Sequence, residues 1–164
     1  TVAREFPNIK VLLVGRSGQM EESVVKPMKR LGVEPWVVLA GYRRDDYLDT
    51  LACMDMFVFL MAGSDGTARA LREAMAMGKP VIAADRGMLP ELVEDGVSGF
   101  VVKDDPERLA AATLRLLHDP ALRMAMGEAA YRKAHQDFSL DLQVEAVENF
   151  YREMIRLGKW KKGR

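Results

Sequence analysis

One short loop near the start of the chain has the composition of an anion-binding turn. Gly15-Arg16-Ser17-Gly18 follows an apolar run and precedes a helical pattern, which is the position of a phosphate-facing loop. The full dinucleotide fingerprint is absent, because Glu21 stands where a third glycine is needed and Gly41 where an acidic residue is expected. Binding of a nicotinamide dinucleotide is therefore disfavoured. A plain turn between a strand and a helix remains the alternative.

A second loop, Ser64-Asp65-Gly66-Thr67, could bring the backbone close to a ligand. Glycine permits close approach or a positive φ, and Thr67 is suited to cap the helix predicted to begin here. The backbone amides of residues 68–70 would then point toward the ligand. A helix N-terminus favours anions, so it suits a diphosphate. Capping alone also explains this loop without any ligand.

Glu73 lies two turns into the helix predicted after the second loop. An ionised carboxylate has two oxygens and can accept hydrogen bonds from two vicinal hydroxyls, as on a ribose. Arg69 stands four residues earlier, so a surface ion pair is the alternative explanation. Elsewhere the sequence pairs no nucleophile with a base and suggests no metal-ligand cluster. His118 and His135 are expected on late helices, away from every strand end.

The composition is typical of a globular protein of one domain. Of the 164 residues, 49% are hydrophobic and 29% charged, so a core needs neither disulfides nor metals. Basic and acidic residues are equal at 24 each, which argues against a nucleic-acid partner. Cys53 is expected to be a buried core residue in a reducing cytosol. No signal peptide is visible, and no run approaches the roughly 20 apolar residues of a membrane span.

Short apolar runs alternate with helical patterns, which predicts an α/β fold. A buried parallel strand is predicted at residues 9–14, and further strands at residues 36–40, 56–61, 80–84 and 99–102. Helices are predicted at residues 21–31, 45–54, 67–77, 89–94, 106–118, 120–137 and 140–157, with a kink or break at Pro27. The alternation indicates a Rossmann-like parallel sheet with helices on both faces and extra C-terminal helices, as a single domain over residues 1–164. Ligands of such sheets bind beyond the carboxyl ends of the strands.

Two consecutive segments resemble the donor-binding motif of a known enzyme family. The run from Asp65 to Ala83 has an acidic residue, seven others, a glutamate in Glu-Ala-Met, and then a proline-valine strand. The run from Gly87 to Phe100 contains Pro-Glu-Leu-Val-Glu-Asp-Gly-Val-Ser-Gly. In this order the two are similar to the retaining GT-B glycosyltransferases of family 4, the glycosyl transferases group 1. The resemblance extends from Val11 to about Tyr151 and implies the C-terminal, donor-binding domain of such an enzyme.

The resemblance implies a role for each matching residue. Glu73 corresponds to the glutamate that holds the ribose hydroxyls of the nucleotide, and Asp65 to the one that touches hydroxyls of the donor sugar. These two are the expected catalytic residues. Arg43 stands where a side chain covers the base, and a guanidinium can stack there. The expected donor-binding residues lie at the ends of two strands and around the start of the helix: Gly15, Arg16, Gly18, Tyr42, Arg43, Gly66, Thr67, Ala68, Arg69, Ala70 and Glu73.

Two features depart from the family pattern. Asp65 is one methylene shorter than glutamate, and Thr67-Ala68 replaces the usual Phe-Gly. These changes leave open an altered sugar contact, an unusual sugar or a lost activity. The arginine and lysine that neutralise the diphosphate, and the acceptor-binding N-terminal domain, precede the matched segment in the family. They are expected to lie outside this chain.

The resemblance implies transfer of a hexose or similar sugar from a nucleoside diphosphate sugar to an acceptor glycan, lipid or small molecule, with retention. Retaining members are thought to use the leaving phosphate, so neither a protein nucleophile nor a cofactor or metal is expected. The task of the protein is then positioning and electrostatic stabilisation, and the isolated domain should turn over poorly. The alternatives are a GT-B sugar-nucleotide epimerase, which the few histidines disfavour, and a non-catalytic nucleotide-binding or interaction module.

The chain ends in a basic segment from Lys159 to Arg164 that contains one aromatic residue, Trp160. Such a segment is compatible with weak contact at a membrane surface, and equally with a solvated terminus. The expected location is the cytoplasm, with peripheral contact at the inner face of the membrane as an open alternative.

Overall fold

The computed structural model describes residues 1–61 and 68–158, which contain five short strands among helices. The strands are β1 (Val11–Val14), β2 (Val37–Gly41), β3 (Phe57–Phe59), β4 (Val81–Ala84) and β5 (Gly99–Val102). All of their ladders are parallel: β1 pairs with β2, and the other three lie in the order β3-β4-β5. The prediction of an α/β fold with parallel strands between helices is confirmed. In the described residues, however, the strands form two hydrogen-bonded sets rather than one continuous sheet.

The helices follow the predicted pattern closely, above all near the C-terminus. They are α1 (Val2–Glu5), α2 (Lys26–Leu31), α3 (Tyr47–Ala52), α4 (Arg69–Ala76), α5 (Leu89–Leu92), α6 (Pro106–His118), α7 (Pro120–Asp137) and α8 (Leu140–Arg156). Asp105, Asp119 and Ser139 cap α6, α7 and α8 by accepting hydrogen bonds from backbone amides of the first turn. These capping residues explain why the starts of the three C-terminal helices could be predicted from the sequence. Within the described part of the chain, no helix has the length and apolar content needed to span a membrane.

Pro27 produces a change of helix type rather than a break. A π-helical turn over Glu21–Val25 runs directly into α2, and Pro27 lies in the first turn of α2. Proline has no backbone N–H, so the carbonyl one turn earlier cannot receive its usual α-helical hydrogen bond. A wider turn accommodates that loss. The helix ends as predicted at Gly32, which adopts a left-handed conformation with φ 62°.

Strand β4 forms the centre of the described core. All four of its residues are buried. Val81 and Ala83 pack with Leu71 and Met75 of α4, whereas Ile82 points into a second cluster. That second cluster contains Phe100, Val102, Leu116 and Met126. Because successive side chains of a strand point to opposite faces, β4 is covered by helices on both sides, as the continuous apolar run predicted.

Two predictions of burial are wrong. Strand β1 was expected to be buried, but Val11 is 46% exposed and Leu13 37% exposed. In the described residues β1 and β2 form a separate pair, and neither Val11 nor Leu13 belongs to the two buried clusters that cover the faces of β4. Cys53 is also exposed, because it follows the end of α3, where Leu51 occupies the buried position. An apolar run by itself does not distinguish a strand covered on two faces from one that is partly open.

Candidate functional site

Helix α4 begins at Arg69, two residues later than predicted. Ala68 takes the N-cap position and makes no side-chain cap hydrogen bond. Its own side chain is buried in the core, which holds the start of the helix in place. The first backbone amides of an α-helix have no intrahelical acceptor, so those of Arg69 and Ala70 can face an anion. Asp65, Gly66 and Thr67 lie outside the described residues, and the roles expected for them, including the Thr67 cap, stay predictions.

Glu73 and Arg69 form the ion pair that their spacing suggested. The Nε atom of Arg69 lies 2.7 Å from Oε1 of Glu73. The side chain of Arg69 is 80% exposed, whereas that of Glu73 is only 25% exposed. An exposed pair of this kind adds little to stability. A carboxylate has about four acceptor positions, so one contact with Arg69 leaves room for other donors.

Tyr47, a residue that the sequence analysis did not single out, lies beside Glu73. Burial, a hydrogen bond to the Glu73 carboxylate and the negative charge of that carboxylate together raise the pKa of Tyr47 to about 12, while Arg69 opposes the shift. The hydrogen bond to Glu73 also raises the pKa of Arg69 above its ordinary value. The carboxylate of Glu73 therefore has a donor from its own helix, and its charge influences the phenol of Tyr47 on α3. The only sequence signal for Tyr47 is its position four residues before the buried Leu51, which places both on one helical face.

Two predicted donor-binding residues, Arg16 and Tyr42, are in contact just beyond the carboxyl ends of β1 and β2. The backbone N–H of Gly15 donates to the carbonyl of Gly41 at 2.8 Å, and both glycines have positive φ, at 134° and 69°. The guanidinium carbon of Arg16 then lies 4.8 Å from the centroid of the Tyr42 ring. This is a cation–π contact on a ring that is 62% exposed. The pair lies just beyond the carboxyl ends of both strands.

Arg43 forms a side-chain contact in the described residues, whereas the space beside Gly18 is open. Arg43 forms an ion pair with Asp46, just before α3, so its side chain already has an anionic partner. At Gly18, a Cβ atom would meet no heavy atom of the described residues within 4 Å, and its φ is not left-handed. The packing of the described residues therefore does not require a glycine at this position, and its role in donor binding stays a prediction.

The two histidines lie in the late helices, as predicted. His118 ends α6, where its Nε2 contacts the carboxylate of Glu5 and its ring lies 4.9 Å from that of Phe6. His135 lies in α7, with its Nδ1 2.9 Å from the carbonyl of Tyr131. Neither is bonded to the cluster of Tyr47, Arg69 and Glu73. Over residues 1–61 and 68–158, no group of three His, Cys, Asp or Glu side chains is arranged to hold a metal ion.

Comparison with known proteins shows which family the chain belongs to. The family model described as glycosyl transferases group 1 matches residues 1–133, which is most of the chain. The chain belongs to this family. The resemblance carried by residues 65–100 is therefore confirmed at the level of the family, and the structural neighbours are GT-B glycosyltransferases.

Three relatives within the glycosyl transferases group 1 are informative. The chain is 30% identical over 148 residues to N-acetyl-alpha-D-glucosaminyl L-malate synthase of Bacillus anthracis, covering 90% of this chain and 38% of the relative. It is 32% identical over 161 residues to D-inositol 3-phosphate glycosyltransferase of Segniliparus rotundus, covering 96% and 36%. HepE from Anabaena, solved in complex with UDP, has a TM-score of 0.77 and 28% identity, covering 90% and 42%. The chain thus spans about two fifths of the length of these proteins.

Proposed function

We propose that this chain is the donor-binding part of a glycosyltransferase that moves a sugar from a nucleoside diphosphate sugar to an acceptor, with retention. Membership of the glycosyl transferases group 1 supports sugar transfer. HepE, which resembles this chain in sequence and fold, has been solved with UDP and with UDP-glucose. The relatives are more than twice as long as the matched segment, and the acceptor is proposed to bind outside these 164 residues.

The observation that carries the proposal is the environment of Glu73. Its side chain is three-quarters shielded from solvent, and its carboxylate accepts a hydrogen bond from Arg69 of the same helix. Helix α4, which carries Glu73, follows β3 in the chain and so begins on the side of the carboxyl end of that strand. Ligands of parallel α/β folds bind at that edge. A carboxylate there, with free acceptor positions, suits the two hydroxyls of a ribose.

The rest of the donor is assigned to groups around Glu73. The diphosphate is proposed to lie at the N-terminus of α4, near the amides of Arg69 and Ala70, and along the loop from Gly15 to Gly18, because helix N-termini favour anions. The base is proposed to lie on the side of Arg16, Tyr42 and Arg43, where the exposed Tyr42 ring offers a stacking surface. The donor sugar is assigned to Asp65, on the resemblance alone.

Electrostatic stabilisation is the proposed source of catalysis. The leaving diphosphate would be stabilised by backbone amides and cations, and retention would follow from assistance by the leaving phosphate, with neither cofactor nor metal. An epimerase and a non-catalytic module are less well supported, because the relatives carry the names of a synthase and a glycosyltransferase. A cytoplasmic location is part of the proposal, since a lone exposed thiol such as Cys53 persists in a reducing compartment.

Calorimetric titration of this chain with UDP, GDP and ADP tests the donor role. At least one of these nucleotides should bind the unaltered chain, and Glu73→Ala should weaken that binding at least about tenfold, because hydrogen bonds to a charged group are lost. Glu128→Ala is the matched control, since Glu128 also pairs with an arginine four positions away, Arg132, but on α7. Equal affinity of Glu73→Ala and the unaltered chain, or no binding of any of the three nucleotides, would contradict the proposal.

A further inference from the structure

Strands β1 and β3 each have one open edge, without a hydrogen-bonded neighbour in the part of the chain that the structure describes. β1 pairs with β2 alone and β3 with β4 alone, in both cases in parallel. The edge strands of natural sheets commonly carry charged residues or proline, which prevent pairing with a further strand. β1 and β3 contain neither. Val11 and Val58 are nevertheless 46% and 41% exposed, so both strands present apolar side chains to solvent.

The outer edge of β5 differs, because the loop before this strand covers it. The backbone N–H of Val101 donates to Oδ1 of Asp95 at 2.9 Å, and that of Gly96 donates to the carbonyl of Gly99 at 2.8 Å. Residue 95 also forms an isolated parallel bridge to residue 99. The chain thus closes the edge of β5 by itself, whereas the edges of β1 and β3 stay open.

The hydrogen bonds beside β1 and β3 show which backbone groups face the open edges. The N–H of Gly15, directly after β1, donates to the last residue of β2, and the N–H of Phe57 donates to the carbonyl just before β4. Successive residues of a strand direct their backbone groups to alternate sides. The N–H and C=O groups of Leu12 and Val58 therefore point away from β2 and β4, and no ladder of the described residues pairs them on that side.

Two side-chain contacts hold the β1–β2 pair beside the β3–β4–β5 set, although no ladder joins them. Ahead of β1, the carboxylate of Glu5 in α1 contacts Nε2 of His118 in α6, and the Phe6 ring lies 4.9 Å from the His118 ring. After β2, the carbonyl of Ala52 accepts a hydrogen bond at 2.8 Å from Nζ of Lys79, just before β4. The first contact acts through α1, which leads into β1, so it favours β1 over β2 as the strand nearer to the three-stranded set.

Helix α1 also indicates where a strand between β1 and β3 would come from. Parallel neighbours are joined by a crossover that passes over one face of the sheet, usually as a helix. α1 contacts α6, whose Leu116 packs with Ile82 of β4 and Phe100 of β5. α1 thus lies in the helix layer over one face of the sheet, where the crossover from a preceding parallel strand to β1 would run.

A solved fold supports a further element. The C-terminal domain of a glycosyl transferase group 1 family protein (LpcC) from Francisella tularensis has a TM-score of 0.68 to this chain at 18% identity. The match covers 85% of this chain but 74% of that domain. That fold therefore contains residues with no counterpart among these 164.

We propose that the open edges of β1 and β3 form a slot for one further parallel strand, an apolar segment of the same polypeptide that lies ahead of α1 and outside these 164 residues. The strand pairs with Leu12 on one side and Val58 on the other, and it joins the two strand sets into one sheet. It is apolar along its length, because helices cover both faces of the nearby β4. This inference depends on no ligand and goes beyond the proposed function.

Hydrogen–deuterium exchange read by mass spectrometry tests the slot in two proteins. One is the 164-residue chain, and the other is a chimera that carries, ahead of Thr1, the part of HepE that precedes its region similar to this chain. In the chain alone, peptides with Leu12 or Val58 should exchange at least about tenfold faster than β4, because ladder hydrogen bonds protect amides. In the chimera, their exchange should slow at least about tenfold. Val101, whose N–H is already bonded to Asp95, should exchange alike in both proteins.

Two matched substitutions in the chimera show whether the protection comes from the slot. Val58→Lys should return the exchange of β1 and β3 toward the rates of the chain alone, because an inserted strand would leave the new charge buried and unpaired. Val97→Lys changes a valine of similar exposure, 45%, that lies outside every strand. It should leave the exchange of β1 and β3 unchanged.

Three outcomes would overturn the proposal. Slow exchange of β1 and β3 in the chain alone, equal to that of β4, would mean that their edges are already covered. Fast exchange in a chimera whose β4 stays protected would mean that a folded protein leaves the slot empty. Protection that rises with the concentration of the chain would assign the open edges to pairing between two copies. The proposed function is decided separately, by the nucleotide titrations.

Discussion

At the residue scale, the cluster of Tyr47, Arg69 and Glu73 shows how an ion pair can be compatible with a ligand site. The sequence offered a surface ion pair and a hydroxyl-binding carboxylate as competing explanations of Glu73. The structure contains the ion pair, which occupies one side of the carboxylate, and three quarters of the Glu73 side chain is shielded from solvent. Arg69 thus neutralises part of the charge of Glu73 without occupying all of its acceptor positions.

The raised pKa of Tyr47 predicts a loss of stability in alkaline solution. An unfolded tyrosine ionises near pH 10, whereas Tyr47 in the folded chain keeps its proton to about pH 12. Below pH 10 both states are protonated and the stabilisation by this hydroxyl is fully present. Between about pH 10 and 12 the folded state binds more protons than the unfolded state, so stability falls as pH rises. Urea unfolding across this range should show a decline that is smaller in Tyr47→Phe.

Two further variants check the origin of that decline. Tyr131→Phe should retain the full decline, because it leaves the Tyr47 hydroxyl in place. Glu73→Gln should reduce the decline only in part, since burial is the largest cause of the raised pKa of Tyr47 and the charge of Glu73 a smaller one. Identical pH profiles for the unaltered chain and Tyr47→Phe would show that the Tyr47 hydroxyl titrates like any exposed tyrosine.

At the element scale, the crossing of α4 and α7 depends on a close backbone approach. Gly78 follows the end of α4 with φ 69°, and Gly127 faces it from the middle of α7. A Cβ atom on Gly127 would lie 2.3 Å from the carbonyl oxygen of Gly78, well inside contact distance. The two helices can pack this closely only because position 127 has no side chain. The crossing in turn supports the helix that carries Glu73.

Gly127→Ala should destabilise the chain even though alanine is the better helix former. Propensity alone predicts a gain of about 1 kcal/mol, but the clash with a backbone carbonyl forces α4 and α7 apart at a cost near the upper end of about 1–3 kcal/mol, which leaves a net loss of up to about 2 kcal/mol. Urea unfolding measures the difference. Ala125→Gly, at an exposed position of the same helix, is the control and should lose about 1 kcal/mol from propensity alone. A net gain in stability for Gly127→Ala would contradict the packing argument.

At the scale of the whole molecule, the matched relatives are much longer than this chain, which covers 38% of one and 36% of another. Under the proposed function, donor binding and sugar transfer are therefore separable. Transfer requires the acceptor to be held in line with the donor, and that positioning accounts for a large part of enzymatic rate enhancement. A chain that binds only the donor lacks this contribution.

The 164-residue chain should bind UDP or another nucleoside diphosphate. It should nevertheless cleave the matching nucleotide sugar, and so form the free nucleoside diphosphate, very slowly. We expect a rate at least about a hundredfold below that of a full-length homologue such as HepE, because no acceptor is positioned. A coupled assay of UDP release from UDP-glucose, with HepE as the positive control, measures this difference. Rapid transfer to an added acceptor by the chain alone would refute the proposed division between donor and acceptor domains.

Much of the fold followed from local signals in the sequence. The bounds of β5, α6 and α7 were predicted to the residue, because capping aspartates and first-turn prolines mark the two helices and an apolar run bounded by glycine marks the strand. The family was also recognisable, since the spacing of Asp65, Glu73 and Pro90 is a property of the chain itself. Propensity, capping and motif spacing act over a few residues, so they can be inferred without a structure.

Contacts between distant elements were decided only by the tertiary structure. The approach of Tyr47 to Glu73 and the partial exposure of β1 depend on how α3, α4 and the two strand sets pack. The contact of Gly127 with Gly78 likewise depends on the crossing of α4 and α7. Nothing in the spacing of these residues encodes their distance in space. The sequence alone thus determined the family, the acidic residue of the proposed site and, through helical spacing, its pairing with Arg69. Packing decided how far the side chain of Glu73 is shielded from solvent and which residue of α3 influences it, because burial joins residues far apart in the chain.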